Sequence, residues 1–243
     1  MSTTRENLDK FISSYSTGSA YDLDNELILN HYPERVIELT PRHDSILELG
    51  IGHGFSTFKF NQHFNRHVVI DASPAVIKTF NQAYPDMKVD VVSSYFEDFQ
   101  TDETFDLISM GFVLEHVDDP GLLLTKFRGF LKPDGILAIT VPNGESLHRR
   151  FAHAAGMLTN MLEMGAGDKA LGHQRLFSVD SLARLLEDSD FSIRCLEGLF
   201  LKPLTTTQLI SLNLPREVLN GMMVVGRSYP ELCTAILVVA YVR

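Results

Sequence analysis

Short apolar runs alternate with amphipathic stretches from Ser45 to the end of the chain. Ile46-Leu47-Glu48-Leu49 predicts a strand, Gly50–Gly54 a turn, and Phe55–Phe64, with aromatic residues at near-helical spacing, a helix. Val68-Val69-Ile70 is a second, β-branched strand. Ser73-Pro74 then supplies a helix cap and a proline at the first helical position, and Ile77, Phe80 and Tyr84 continue at i, i+3 and i+7. Val89–Val92 and Phe105–Met110 predict two more strands, and Asp119-Pro120 opens a helix carrying Leu123, Phe127 and Leu131. Lys132-Pro133-Asp134-Gly135 reads as a turn before Ile136–Val141, the most continuous strand of all. Ser178–Glu187 predicts a last crossover helix, and Phe191–Cys195 and Thr234–Val242 two late strands. Ahead of Ser45, helices are expected over Glu6–Ser14 and Leu23–Leu39, the second interrupted at Pro33.

Parallel neighbours need crossover connections, and these are helical and right-handed. The alternation therefore predicts an α/β fold with a doubly wound, mostly parallel seven-stranded sheet whose last strand runs antiparallel. One domain over 1–243 is the simplest division, with an N-terminal helical segment over 1–44 and a ligand-binding core over 45–142. Two stretches exceed the minimal alternation, roughly 143–177 and 201–230. In such sheets ligands sit outside the carboxyl ends of the strands, where both insertions begin and where both would roof a site.

The composition narrows the partners. Lys and Arg number 21 against 31 Asp and Glu, a formal charge of −10 that repels a phosphodiester backbone and makes nucleic acid a poor partner. Cys195 and Cys233 are too few for a disulfide framework and too far apart for a zinc site, which suits a reducing compartment. No basic segment leads into an apolar one at the start, and the longest apolar run, Ala235–Val242, falls short of a membrane span. A cytoplasmic protein without a membrane partner is expected; a homodimer stays open.

The chemistry concentrates where the first strand turns into a helix. Gly50, Gly52 and Gly54 allow backbone angles that other residues resist and let a ligand approach the main chain. A nicotinamide fingerprint requires G-x-G-x-x-G, whereas here position 54 is Gly and position 55 is Phe. Glu48 lies inside an apolar strand, where an acid is costly without a partner. Asp71 ends the second strand, 21 residues after Gly50, where a carboxylate can accept both hydroxyls of a ribose.

Glu48, the three glycines and Asp71, in this order, resemble the class I S-adenosylmethionine-dependent methyltransferases, and the likeness extends over about 45–142. The resemblance implies their Rossmann-like fold, S-adenosylmethionine as cofactor and S-adenosylhomocysteine as product. It assigns Gly50 and Gly52 to the methionine portion, Asp71 to the ribose, and Ala72, Tyr95 and Phe96 to the adenine. Tyr95 stands where the family commonly has an adenine-binding Asp. Met110-Gly111 corresponds to the segment beside the sulfonium. Leu114-Glu115-His116-Val117 looks like a signature of small-molecule methyltransferases, among them ubiquinone-biosynthesis O-methyltransferases, and Leu131–Gly135 like the family's L-K-P-G-G turn with Asp for the first Gly. Some relatives hold a divalent ion with Glu-x-x-Glu-His; position 112 here is Phe, so no metal is expected.

Methyl transfer from a sulfonium needs donor and acceptor in line and no protein nucleophile. A hydroxyl acceptor needs a base, for which His116 and His173, with Glu115 beside them, are the candidates. The first insertion is locally basic: between His148 and Arg175 stand Arg149, Arg150, Lys169 and Arg175 against Glu163 and Asp168. His148, Arg149 and Arg175 are therefore expected at an anionic metabolite or sugar. Met157, Met161 and Met164 read as roof packing. The leading expectation is methylation of an oxygen on a small molecule. A nitrogen-directed methyltransferase, a nicotinamide oxidoreductase and a non-catalytic cofactor binder are the alternatives.

Overall fold

The computed structural model describes residues 22–243, so the helix expected over Glu6–Ser14 lies outside the described residues. The strands are β1 (Ser45–Leu49), β2 (Arg66–Asp71), β3 (Asp90–Ser93), β4 (Phe105–Gly111), β5 (Leu131–Pro142), β6 (Phe191–Leu199) and β7 (Ala235–Val242). They form one sheet in the order β3-β2-β1-β4-β5-β7-β6. Neighbours from β3 to β5 run parallel, and β7 enters antiparallel between β5 and β6, as the sequence predicts for the last strand. The helices are α1 (Asp22–Leu39), α2 (Phe55–Asn61), α3 (Pro74–Ala83), α4 (Pro120–Arg128), α5 (Leu147–Ala154), α6 (Ala166–Ala170), α7 (Val179–Asp188), α8 (Thr206–Ser211) and α9 (Arg216–Gly226).

The continuous apolar strands follow from a sheet covered on both faces. Leu47 and Leu49 of β1 pack into a cluster with Leu123, Phe127, Leu182 and Leu186 of α4 and α7. Ile46 points the other way, into a cluster with Tyr32 and Val36 of α1, Phe60 of α2, and Leu219 and Met223 of α9. Three crossover helices start on side-chain caps: Ser73 accepts from Val76 N, Asp119 from Leu122 N and Ser178 from Ser181 N. Each such cap contributes about 1 kcal/mol. Among the described residues no helix is long and apolar enough to cross a membrane.

Three boundaries depart from the expectation. α1 runs through Pro33 without a break, because Leu27, Ile28 and Tyr32 before it and Val36 and Ile37 after it are all buried. That shared face outweighs the one hydrogen bond a proline removes. α2 stops at Asn61 rather than Phe64. Residues 132–135 are no free turn but an excursion within β5: Phe105 pairs with Leu131, and the register resumes at Leu107 and Ile136.

β6 approaches α9 closely at Gly198, where a Cβ would stand 2.5 Å from the Gly226 carbonyl oxygen and 2.5 Å from Cys233 Sγ. Gly198→Ala is expected to cost about 1–3 kcal/mol by overpacking. The check is the urea-unfolding midpoint, which should fall; an unchanged midpoint means that the backbone there yields freely.

Candidate active site

The glycine turn between β1 and α2 is held open by its own backbone. Gly50, Gly52 and Gly54 all take left-handed φ values, 81°, 54° and 79°. An L side chain resists that region, so glycine is required here for conformation as well as for space. Asp71 fastens the turn to the end of β2: its Oδ2 accepts from Ile51 N at 2.9 Å and its Oδ1 from Ser73 N at 2.8 Å. The Phe96 ring reaches to 4.0 Å of where a Gly50 Cβ would stand, so Phe96 meets the turn with its side chain. Met110 is fully buried in the core, which leaves its main chain and Gly111 as the surface that β4 presents.

Glu48 is buried at 2% exposure, with Oε2 3.0 Å from His67 Nε2 and Oε1 without a partner. Beneath the same turn lies Tyr32 of α1, whose hydroxyl bonds Ser56 and is raised far above its ordinary pKa by burial and then by Glu48. A Cβ on Gly111 would overlap that hydroxyl. Sequence reasoning missed Tyr32, because only the packing of α1 under β1 and β4 brings it to the site. A buried acid with one oxygen unpartnered, ahead of three left-handed glycines and with a second acid at the end of β2, fits a cofactor that carries an ammonium and a ribose.

On the other side of β4 the chain gathers Glu115, His116 and His173. The two imidazole centroids lie 4.9 Å apart, edge to face. Glu115 is completely buried with neither carboxylate oxygen hydrogen-bonded, and burial pushes its pKa up to about 8. Burial, reinforced by His173, holds His116 down at about 4, so it is a neutral base at physiological pH. Phe112 sits at left-handed φ 57° with its ring turned to Tyr32, 6.0 Å between centroids. His173 arrives instead from the first insertion, a contact that local spacing does not reveal.

The arginines expected at an acceptor are engaged with main-chain carbonyls. Arg149 donates to the carbonyls of Gly144, Met161 and Glu163, at 2.5–3.0 Å. Arg175 donates to the carbonyls of Leu114, Val117 and Asp118. Both brace the loops above the sheet. Met157 is 78% exposed rather than packed as roof. His148 lies in the first turn of α5 with Nδ1 3.2 Å from Ser146 Oγ, and burial, then Lys202 and Arg149, hold it at about 4. Lys202 is itself buried against Asp24 and Thr206, a junction of α1 with the second insertion that sequence reasoning also missed.

This fold and this donor site define a class I S-adenosylmethionine-dependent methyltransferase, and the nicotinamide alternative falls away. The chain belongs to the methyltransferase-domain family, whose model matches residues 21–196. It is 26% identical over 195 residues to the ubiquinone biosynthesis O-methyltransferase of Rickettsia felis, covering 79% of this chain and 77% of the relative. The fold matches a chain in the complex of the Haloferax volcanii Trm112 methyltransferase activator with a methyltransferase, at 16% identity and TM-score 0.65, covering 98% of this chain and 97% of that one. It also matches the N-methyltransferase NodS of Bradyrhizobium japonicum in complex with S-adenosyl-L-homocysteine, at 16% identity and TM-score 0.60, with 97% and 98% covered.

His148 links the site to pH. Its folded pKa of about 4 lies below the unfolded 6.5, so the unfolded chain binds more protons between those values. The stability it contributes is full above the unfolded value and declines as pH falls through the window. Comparing urea midpoints near neutrality and near about pH 5, His148→Gln should lose less stability than wild type. Equal losses would mean that His148 is solvated in the fold.

Proposed function

We propose that the protein methylates a hydroxyl oxygen of a small-molecule acceptor. The observation that carries this reading is the imidazole pair beyond the end of β4: His116, kept neutral by burial, has its ring centroid 4.9 Å from that of His173, which the first insertion supplies. Kinship with an enzyme named as an O-methyltransferase over most of the chain favours the same atom. S-adenosylmethionine, when bound, supplies an electrophilic methyl on a sulfonium.

In this reading the glycine turn passes the methionine portion, Glu48 accepts its ammonium, Asp71 takes the ribose hydroxyls, and Ala72, Tyr95 and Phe96 border the adenine. The acceptor lies toward His148 and the β4 loop, under the first insertion. As the acceptor oxygen takes up the methyl and the carbon–sulfur bond breaks, the hydroxyl proton passes to His116 or His173 and from there to solvent. Glu115 stands behind the pair. Much of the acceleration comes from holding two ligands in line, because positioning replaces a bimolecular encounter. Arg149 and Arg175 hold the loops that position the acceptor.

Asp71→Ala should weaken S-adenosylhomocysteine binding more than about tenfold, read by calorimetric titration; an unchanged dissociation constant counts against the ribose role. His116→Ala should lower turnover by about a hundredfold or more while leaving that binding intact, as expected on losing a general base. Turnover of labelled cofactor with an acceptor panel, the product identified by mass spectrometry, tests the methylated atom. A methyl found on nitrogen would overturn the oxygen assignment.

A further inference from the structure

Glu115 presents a problem that the protein alone leaves unsolved. Its carboxylate is sealed from water, and neither oxygen receives a hydrogen bond. A buried acid in that condition costs several kcal/mol unless something coordinates it. What surrounds it is a set of lone pairs: one oxygen of Glu115 and one ring nitrogen each of His116 and His173 lie within 4.8 Å of one another, the one such group among the described residues.

Groups suited to orienting the two imidazoles stand beside them. His116 Nδ1 stands 3.4 Å from the Gly172 carbonyl oxygen, and His173 Nδ1 stands 3.3 Å from Asp168 Oδ1, off the ideal hydrogen-bond line. An outer partner on Nδ1, once the site closes on an ion, would fix the tautomer and leave the Nε2 lone pair for the ion, as in carboxylate–histidine–metal arrangements. The loop that carries Glu115 and His116 is bolted to the segment that carries His173. Gln174 N donates to the Glu115 carbonyl at 2.8 Å, Gln174 Nε2 to the His116 carbonyl at 2.7 Å, and Arg175 to three carbonyls of the same loop. Such anchoring is what a preorganised site requires.

We propose that Glu115, His116 and His173 bind a divalent transition-metal ion. Around such an ion the ligand atoms stand about 3.4 Å apart, so a closing movement of about an ångström, within reach of the two partly exposed imidazoles, completes the site. Two imidazoles with one carboxylate favour zinc, cobalt, iron or manganese over magnesium, which prefers oxygen ligands. Three protein ligands leave a coordination position open; with an ion in place the two imidazoles serve as ligands instead of proton acceptors, and the ion would supply Lewis acidity that lets the hydroxyl proton leave to solvent. That use of the ion rests on the methyl-transfer reading above; its binding does not.

The test uses the full chain, free of any polyhistidine tag and stripped with chelator, titrated with Co²⁺ and followed by its visible ligand-field bands and by calorimetry. One Co²⁺ per chain is expected, with Mg²⁺ unable to displace it. His173→Gln and Glu115→Gln should each weaken Co²⁺ binding by more than about tenfold, and Asp168→Asn by about tenfold through the lost outer partner. S-adenosylhomocysteine binding, measured on the same samples, reports an intact fold. Wild type that binds S-adenosylhomocysteine but no Co²⁺ overturns the proposal, as does Co²⁺ binding that is unchanged in His173→Gln. If a ligand variant fails to fold, Asp168→Asn decides alone, and undiminished affinity there overturns it. Co²⁺ bound without any S-adenosylhomocysteine binding sustains the metal site and sinks the methyl-transfer reading.

Discussion

The parallel placement of β1 between β2 and β4 governs the rest of the molecule. The chain winds outward from β1 through β2 and β3, then returns across it to β4 and β5. In register, Leu49 lies opposite Ile70 on one side and Met110 on the other, and Met110 opposite Ile139. The carboxyl ends of four strands therefore finish together, and the reversal opens a crevice there. Glycine turn, Asp71, Gly111 and the start of the first insertion all sit at that edge because hydrogen-bond register puts them there.

The two sides of the crevice are built by different means. On the donor side, secondary structure does the positioning: Asp71 ties a strand end to a turn, and the turn starts a helix. On the side of the first insertion, side chains hold main chain. Asn143 Nδ2 donates to the carbonyls of Pro230, Glu231 and Cys233, which joins the end of β5 to the approach to β7. Arg149 gathers the first insertion around itself, and Arg175 fastens it to the β4 loop. Hydrogen bonds from a charged donor contribute about 1.5–3 kcal/mol each, so a few residues set the shape of the roof. Basic residues placed there for structure give the insertion the same local charge that a binding surface would have.

The histidines show how the fold converts ordinary residues into chemical groups. Neither His116 nor His148 has an acidic residue that dominates its environment; burial and neighbouring positive or imidazole groups keep both neutral. Glu115 is forced toward its protonated form by the same lack of water. A neutral base and an unsatisfied acid thus come from desolvation, a property that no local pattern of residues specifies.

The amino-acid sequence by itself determined the alternation of strands and helices, the antiparallel last strand, the glycine turn and the placing of Glu48 and Asp71 near the ends of the first two strands. These are local matters: periodicity, caps, glycine conformations and one acid at a strand end act within a few residues of where they are written. Only the tertiary structure decided that α1 would pass unbroken through Pro33 and place Tyr32 beneath the site. It also made braces of Arg149 and Arg175 and carried His173 to Glu115 and His116. Those outcomes depend on burial and on contacts between segments tens of residues apart, which exist only once the sheet has closed around them.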